Sequence, residues 1–408
     1  MDLQKRIEDY ANLIAKVGVG VKEGQLVIIR VNVESKDFAK ELTKACYESG
    51  AKKVLVEWNS QDITRLTLEN ATKETLKEVE EWYVTKYEDL VKEGAAFISV
   101  IGADPDGLAG VDSDKLKTAN MARSQALRSY MKSIMSDECA WCVVGASTVA
   151  WAKKLFPTLS DEEAYLKLWD KILTACRADG NAVKNWEEHI KTLNEKATFL
   201  NNHQFKKVRI TNKLGTDITV GLPKNHIWQS AGSMAKTSGR FVANIPTEEV
   251  YTMPDKRVTE GIVYSAKPLN YSGVLIEDFW LKFKEGKVID FDAKKGKSVL
   301  ENLLKTDNGS KQLGELAFVP FKSPISDTKI LFLETLYDEN AACHIALGKA
   351  YPTCIENGVN MTEEELDKAG VNDSLIHVDF MIGEETTNIV GYTESDKEIQ
   401  IFKDGNWA

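Results

Sequence analysis

A histidine and an aspartate stand two residues apart in the stretch Ser374-Leu375-Ile376-His377-Val378-Asp379-Phe380-Met381-Ile382-Gly383. Apolar and β-branched residues surround them and a glycine closes the run, the pattern of a buried strand. Side chains alternate along a strand, so His377 and Asp379 point to the same face. An imidazole and a carboxylate side by side on a hydrophobic strand can ligate a metal. The plainer alternative is a His–Asp hydrogen bond that satisfies both groups inside the core.

Three other segments bear on that choice. His344 lies in Asp338-Glu339-Asn340-Ala341-Ala342-Cys343-His344-Ile345-Ala346-Leu347-Gly348-Lys349-Ala350-Tyr351. The small residues after Asn340 read as the start of a tightly packed helix. On that helix His344 and Tyr351, about two turns apart, share a face. A ligand and a phenol so placed suit hydrolysis: a metal polarises a carbonyl and the hydroxyl donates to the developing oxyanion. Packing without chemistry is the alternative for this pair. In Asn244-Ile245-Pro246-Thr247-Glu248-Glu249-Val250-Tyr251-Thr252 two carboxylates are adjacent. On an extended segment they face opposite ways, which predicts different roles. Glu315 opens the apolar run Leu316-Ala317-Phe318-Val319, where a buried carboxylate needs a cation and a surface glutamate does not. Together Glu249, Glu315, Asp379, His344 and His377 could hold two divalent cations with one carboxylate bridging.

The elements that must position these groups fall into two styles. Up to about residue 105, helix and strand alternate: Leu26–Val31, Lys53–Trp58 and Ala96–Ile101 are strands, with helices at 3–17, at 38–49 ending on Gly50, and within 73–94. That order predicts a parallel sheet with covering helices. Helices are expected over 113–137, after the capping box Ser160-Asp161-Glu162-Glu163, and over 182–202, with a strand at 139–146 joining the same sheet. From residue 204 hairpin signals take over, at Val208–Thr211 with Asp217–Val220 and at Val274–Lys284 with Lys287–Asp292. The fold class expected is an α/β N-terminal domain (1–203, with a helical extension) plus an α+β, largely antiparallel C-terminal domain (204–408) that carries the metal and the catalysis.

Composition narrows the function classes. A chain of 408 residues, 43% hydrophobic and 28% charged, is a soluble globular protein too long for one ordinary core. Its net charge of −10 and lack of a basic stripe argue against nucleic acid as a partner. The charged N-terminal segment does not resemble a signal peptide, and no run approaches the ~18 apolar residues of a membrane span. The six scattered cysteines are not a disulfide framework, so a cytoplasmic protein is expected. Cys139-Ala140-Trp141-Cys142 has no second pair with which to bind zinc and leads into a strand, so both cysteines are read as structural. Of the other histidines, His189 is expected on a solvated helix face, His203 at a helix end and His226 in a structural loop role. There is no GxxxxGK[ST], and no GxGxxG after the first strand.

The strings NIPTEEVYT, GELAFVP, DENAACHIALGKAY and SLIHVDFMIG resemble, in that order and spacing, the aminopeptidase T and aminopeptidase S family of bacterial metalloaminopeptidases, the thermophilic-type metallopeptidases. The similarity extends to AKVGVGVKEGQLVIIR and GTDITVGLPKNHIWQSAG. The resemblance implies metal ligation by Glu249, Glu315, His344, His377 and Asp379, with Tyr351 as the active-site tyrosine. It implies two divalent ions (zinc, cobalt or similar) and a homodimer, with peptides bearing a free N-terminus as substrates. The expected reaction is hydrolysis of the N-terminal residue by metal-activated water. Glu248 is the candidate general base, since it adjoins a ligand but faces away from it. Rival readings are a dinuclear hydrolase of another class, such as a phosphoesterase or amidase, and a non-enzymatic binding protein that metal ions merely stabilise.

Overall fold

The computed structural model describes residues 2–271 and 274–408, which form two compact units: residues 1–188 with 232–246, and residues 189–231 with 247–408. The first unit is built on a five-stranded parallel sheet in the order Lys53–Asn59, Leu26–Asn32, Ala96–Ile101, Trp141–Gly145, Asn244–Ile245. Central strands of such a sheet are covered on both faces, which is why Leu26-Val27-Ile28-Ile29 is continuously apolar and fully buried. The capping box forms as expected: Ser160 Oγ accepts from the Glu163 N–H, and the Glu163 carboxylate accepts from the Ser160 N–H.

Two helical expectations need correction here. The 113–137 stretch is two helices, Ser113–Ala126 and Arg128–Met135, divided at Leu127, which leaves helical geometry and is buried. A further helix, Gln61–Asn70, is capped by Ser60, and the charged stretch after it contributes only Glu81–Lys92 as α-helix. Cys139 and Cys142 are buried free thiols, and burial pushes both above the usual thiol range, as befits structural rather than redox cysteines.

The second unit contains a nine-stranded antiparallel sheet that includes both expected hairpins. It also contains a four-stranded antiparallel sheet in the order Val250–Thr252, Leu313–Phe318, His344–Gly348, His377–Met381. This smaller sheet changes the reading of His344. The residue begins a strand that is buried along its whole length, not a helix. Alanine-rich sequence favours helix only weakly, and central pairing against two neighbouring strands overrides it. The actual helical turns precede it, at Thr335–Asp338 and Glu339–Ala341. The strand ends at Gly348, whose φ of +105° and whose approach to Ile376 O, 2.1 Å from where a Cβ would stand, both require glycine. Past Gly348 the Lys349 and Ala350 N–H groups donate to Ile376 O and Asn372 O, so pairing with the neighbouring segment, and not helical spacing, places Tyr351.

Asn372 ties this segment to the Gly309–Lys311 turn that leads into the Leu313 strand. Its side-chain amide donates to Gly309 O at 2.9 Å, Gln312 O at 3.3 Å and Gly348 O at 2.6 Å, and its own carbonyl accepts from the Ala350 N–H. Asn372→Ala strips three carbonyls of a donor in a fully buried place. It is expected to lower unfolding stability by ~1–3 kcal/mol, read by urea denaturation. No loss would mean that water replaces the amide.

Candidate metal centre

Strand register explains how five distant residues meet. Across the four-stranded sheet, Tyr251, Ala317, His344 and Met381 form one row, and Glu315, Ala346 and Asp379 form another. His377 lies two residues beyond Asp379 on the same strand, opposite Gly348. Residues two apart share a face, so Glu315, His344, His377 and Asp379 all project from one side. The other side carries Leu316, Phe318, Ile345, Leu347, Val378 and Phe380, which are buried. A register shift at Gly314, pressed against the carbonyls of Gly348 and Lys349, sets the placement of Glu315. Glu249 comes just before the Val250 strand.

The donors converge as two overlapping triads, Glu249–Glu315–His344 and Glu315–His377–Asp379. Within each triad the potential ligand atoms lie within 4.8 Å of one another. His344 Nε2 is 3.2 Å from Glu249 Oε2 and 3.6 Å from Glu315 Oε1. His377 Nε2 is 3.4 Å from Glu315 Oε2 and 3.4 Å from Asp379 Oδ2. Glu315 thus faces one imidazole with each oxygen. Both rings are oriented from behind: His344 Nδ1 hydrogen-bonds Ala342 O at 3.2 Å and His377 Nδ1 hydrogen-bonds Lys349 O at 2.7 Å. With Nδ1–H donating to a carbonyl, Nε2 is the nitrogen turned toward the carboxylates.

This set of groups fits a cation. Burial raises the Glu249 carboxyl above its usual range, and the contact with His344 only partly opposes it. Burial would pull both imidazoles down, but the facing carboxylates outweigh it and hold them well above the ordinary histidine value. For Asp379, burial is outweighed by His377 and the carboxyl is lowered. Its Oδ1 is buried and has no hydrogen-bond partner among the described residues. Carboxylates crowded in a low-dielectric space, one with an orphaned oxygen, are the surroundings that a divalent ion neutralises.

Tyr351 lies beside the triads, its ring centroid 5.0 Å from that of His377 and 6.3 Å from that of Tyr251. Burial, with smaller contributions from Glu315 and Asp379, keeps its phenol protonated far above neutral pH, so it remains a hydrogen-bond donor. Glu248 diverges from Glu249 as alternation requires. Its backbone N–H donates to Asn340 Oδ1 at 2.8 Å and its carboxylate lies 3.6 Å from His189 Nε2. His189 is consequently not the solvated surface residue that its charged helix suggested: its side chain is 10% exposed, and Nε2 hydrogen-bonds Thr247 O at 2.8 Å. His203 caps its helix end through Phe199 O, and His226 is buried against Pro223 O.

Glu339 went unrecognised in the sequence. Burial first, then Asp379 and Glu249, push its carboxyl well above the usual range, which places it beside the same donors. Asp338-Glu339 repeats the adjacent-acid signal of Glu248-Glu249, but the helical reading of this segment hid it.

Ala346 pairs with Glu315 on one side and Asp379 on the other, and Ala317 pairs with His344. Both are the smallest side chains that keep strand geometry while leaving the space above the sheet open. Ala346→Leu would fill that space. It should cut activity and metal affinity by ~10–100-fold while the fold persists, since overpacking costs only about 1–3 kcal/mol. Unchanged metal content in the folded variant would show that the space lies elsewhere.

Carboxylates and imidazoles gathered on one sheet face, with a protonated phenol alongside, define a metallohydrolase type of centre. Residues 3–407 match the thermophilic metalloprotease (M29) family, and the chain belongs to that family. It is 44% identical to the aminopeptidase AmpS of Bacillus subtilis (strain 168) over 405 residues, covering 99% of this chain and 98% of the relative. It is 37% identical to aminopeptidase T of Thermus thermophilus over 411 residues, covering 100% of both. The solved structure of wild-type AmpT from Thermus thermophilus superposes with a TM-score of 0.94 at 35% identity, again over 100% of both chains.

Proposed function

We propose that this metal-dependent aminopeptidase removes the N-terminal residue of peptides at a centre for two divalent ions that share Glu315. Glu249 and His344 would hold one ion, and His377 and Asp379 the other. The observation that carries this reading is the overlap of a buried and a partly buried donor triad at a single buried carboxylate. Ions bound there would lower the pKa of a water molecule and polarise the scissile carbonyl. Tyr351 donates its O–H to the oxygen of that carbonyl as negative charge develops. Glu248 is the proposed proton carrier to the leaving amine, with His189 against its carboxylate. Glu339, which shares the donors' space, is the second candidate, and Glu248→Gln beside Glu339→Gln separates them by which variant loses kcat while keeping its metal. Zinc or cobalt as the ion, a homodimer as the assembly and the cytoplasm as the setting complete the proposal. Among the described residues, no helix is long and apolar enough to cross a membrane.

The test is hydrolysis of leucine-p-nitroanilide and of the same substrate acetylated on its amine, each with and without a chelator. Cleavage of the free amine only, abolished by chelation and restored by divalent metal, is expected. Cleavage of the acetylated substrate, or resistance to chelation, contradicts the proposal.

A further inference from the structure

A cavity of about 90 Å³ has Asp379 and Glu339 in its lining, and Pro268, Leu269, Leu333 and Met381 make its apolar walls. Asn270 and Glu334 add an amide and a carboxylate. From this cavity we infer a specificity pocket for the side chain of the substrate's N-terminal residue, in which Glu334 selects a basic side chain. The inference rests on the aminopeptidase reading of the adjoining centre. Three observations support it. The cavity shares Asp379 with the candidate metal centre, and the Asp379 side chain, 9% exposed, carries the Oδ1 that lacks a partner among the described residues. A peptide whose amine and first carbonyl sit at that centre therefore has its first side chain beside this opening. The volume is too small for a peptide segment and admits a single side chain only in part. The walls match the methylene stem of lysine or arginine, which buries its carbons and carries its charge at the end.

Among the described residues, no cation is paired with Glu334. Burial, then the neighbouring Asp338 carboxyl, raises it to about 7, and two backbone N–H groups, those of Leu336 and Thr335, only partly compensate. The nearby Lys267 acts on Asp338 instead. A guanidinium or ammonium at the end of a substrate side chain would supply the missing charge-assisted hydrogen bond. A neutral side chain of equal length leaves it unmade, and that asymmetry is what discriminates between substrates.

The experiment measures kcat/KM of the metal-loaded enzyme on arginine, lysine, methionine, leucine and alanine p-nitroanilides. In the wild type, arginine and lysine are expected to exceed methionine. In Glu334→Gln the arginine-to-methionine ratio should fall at least tenfold, whatever happens to the absolute rates. A ratio unchanged within twofold overturns the role of Glu334. Asn270→Trp, at an exposed position of the pocket, should lower the leucine-to-alanine ratio at least tenfold by filling the space, and an unchanged ratio overturns the pocket itself. If the wild type cleaves none of the five substrates, the aminopeptidase reading fails and this inference fails with it. Activity on all five with unaltered ratios in both variants removes the pocket alone.

Discussion

Glu315→Ala is expected to lose both metal and activity while remaining folded. Glu315 is the one side chain common to both triads, with an oxygen toward each imidazole. Its removal takes a ligand from both proposed ions at once and leaves a single carboxylate against His344 and another against His377. Metal assistance contributes several kcal/mol to such a hydrolysis, so kcat should fall by at least about a thousandfold. The fold should survive, because the buried packing of that strand comes from Leu316 and Phe318 on the opposite face. Activity assays, metal content and circular dichroism on one preparation check all three statements. A folded Glu315→Ala protein with metal and rate intact would mean that the carboxylate only satisfies the histidines.

Tyr351→Phe should behave differently. The phenol is proposed to act after the ions are in place, through its O–H, and it supplies none of the triad atoms. Removing a preorganised donor to an oxyanion costs about 10²–10³ in kcat. KM and metal content should stay near wild type, because the interaction is made only as charge develops. The aromatic contacts with His377 and Tyr251 are retained by phenylalanine, so stability should not change. A rise in KM with kcat unchanged would place Tyr351 in substrate binding instead.

The contrast between these two residues also shows what the amino-acid sequence made legible. Alternation along one strand is local, and it was enough to put His377 and Asp379 on a common face and to send Glu248 and Glu249 apart. The parallel sheet of the first unit was legible for the same reason, as continuous apolar runs separated by amphipathic helices. His344 was not, because Asn340-Ala341-Ala342 favours helix locally while pairing with strands about 30 residues away in either direction decides its conformation. The open space above Ala317 and Ala346 depends on the register of several strands, which no single segment encodes. Glu339 and the burial of His189 were missed on the same ground: each is defined by a partner distant in the chain.

Metal stoichiometry of the active enzyme reaches furthest into this description, measured by elemental analysis alongside leucine-p-nitroanilide turnover on one sample. About two divalent ions per chain should be found in fully active protein, with content and rate falling together on chelation and returning together when metal is restored. Full activity with no bound metal, or with a single ion that further metal does not enhance, would contradict a centre bridged by Glu315.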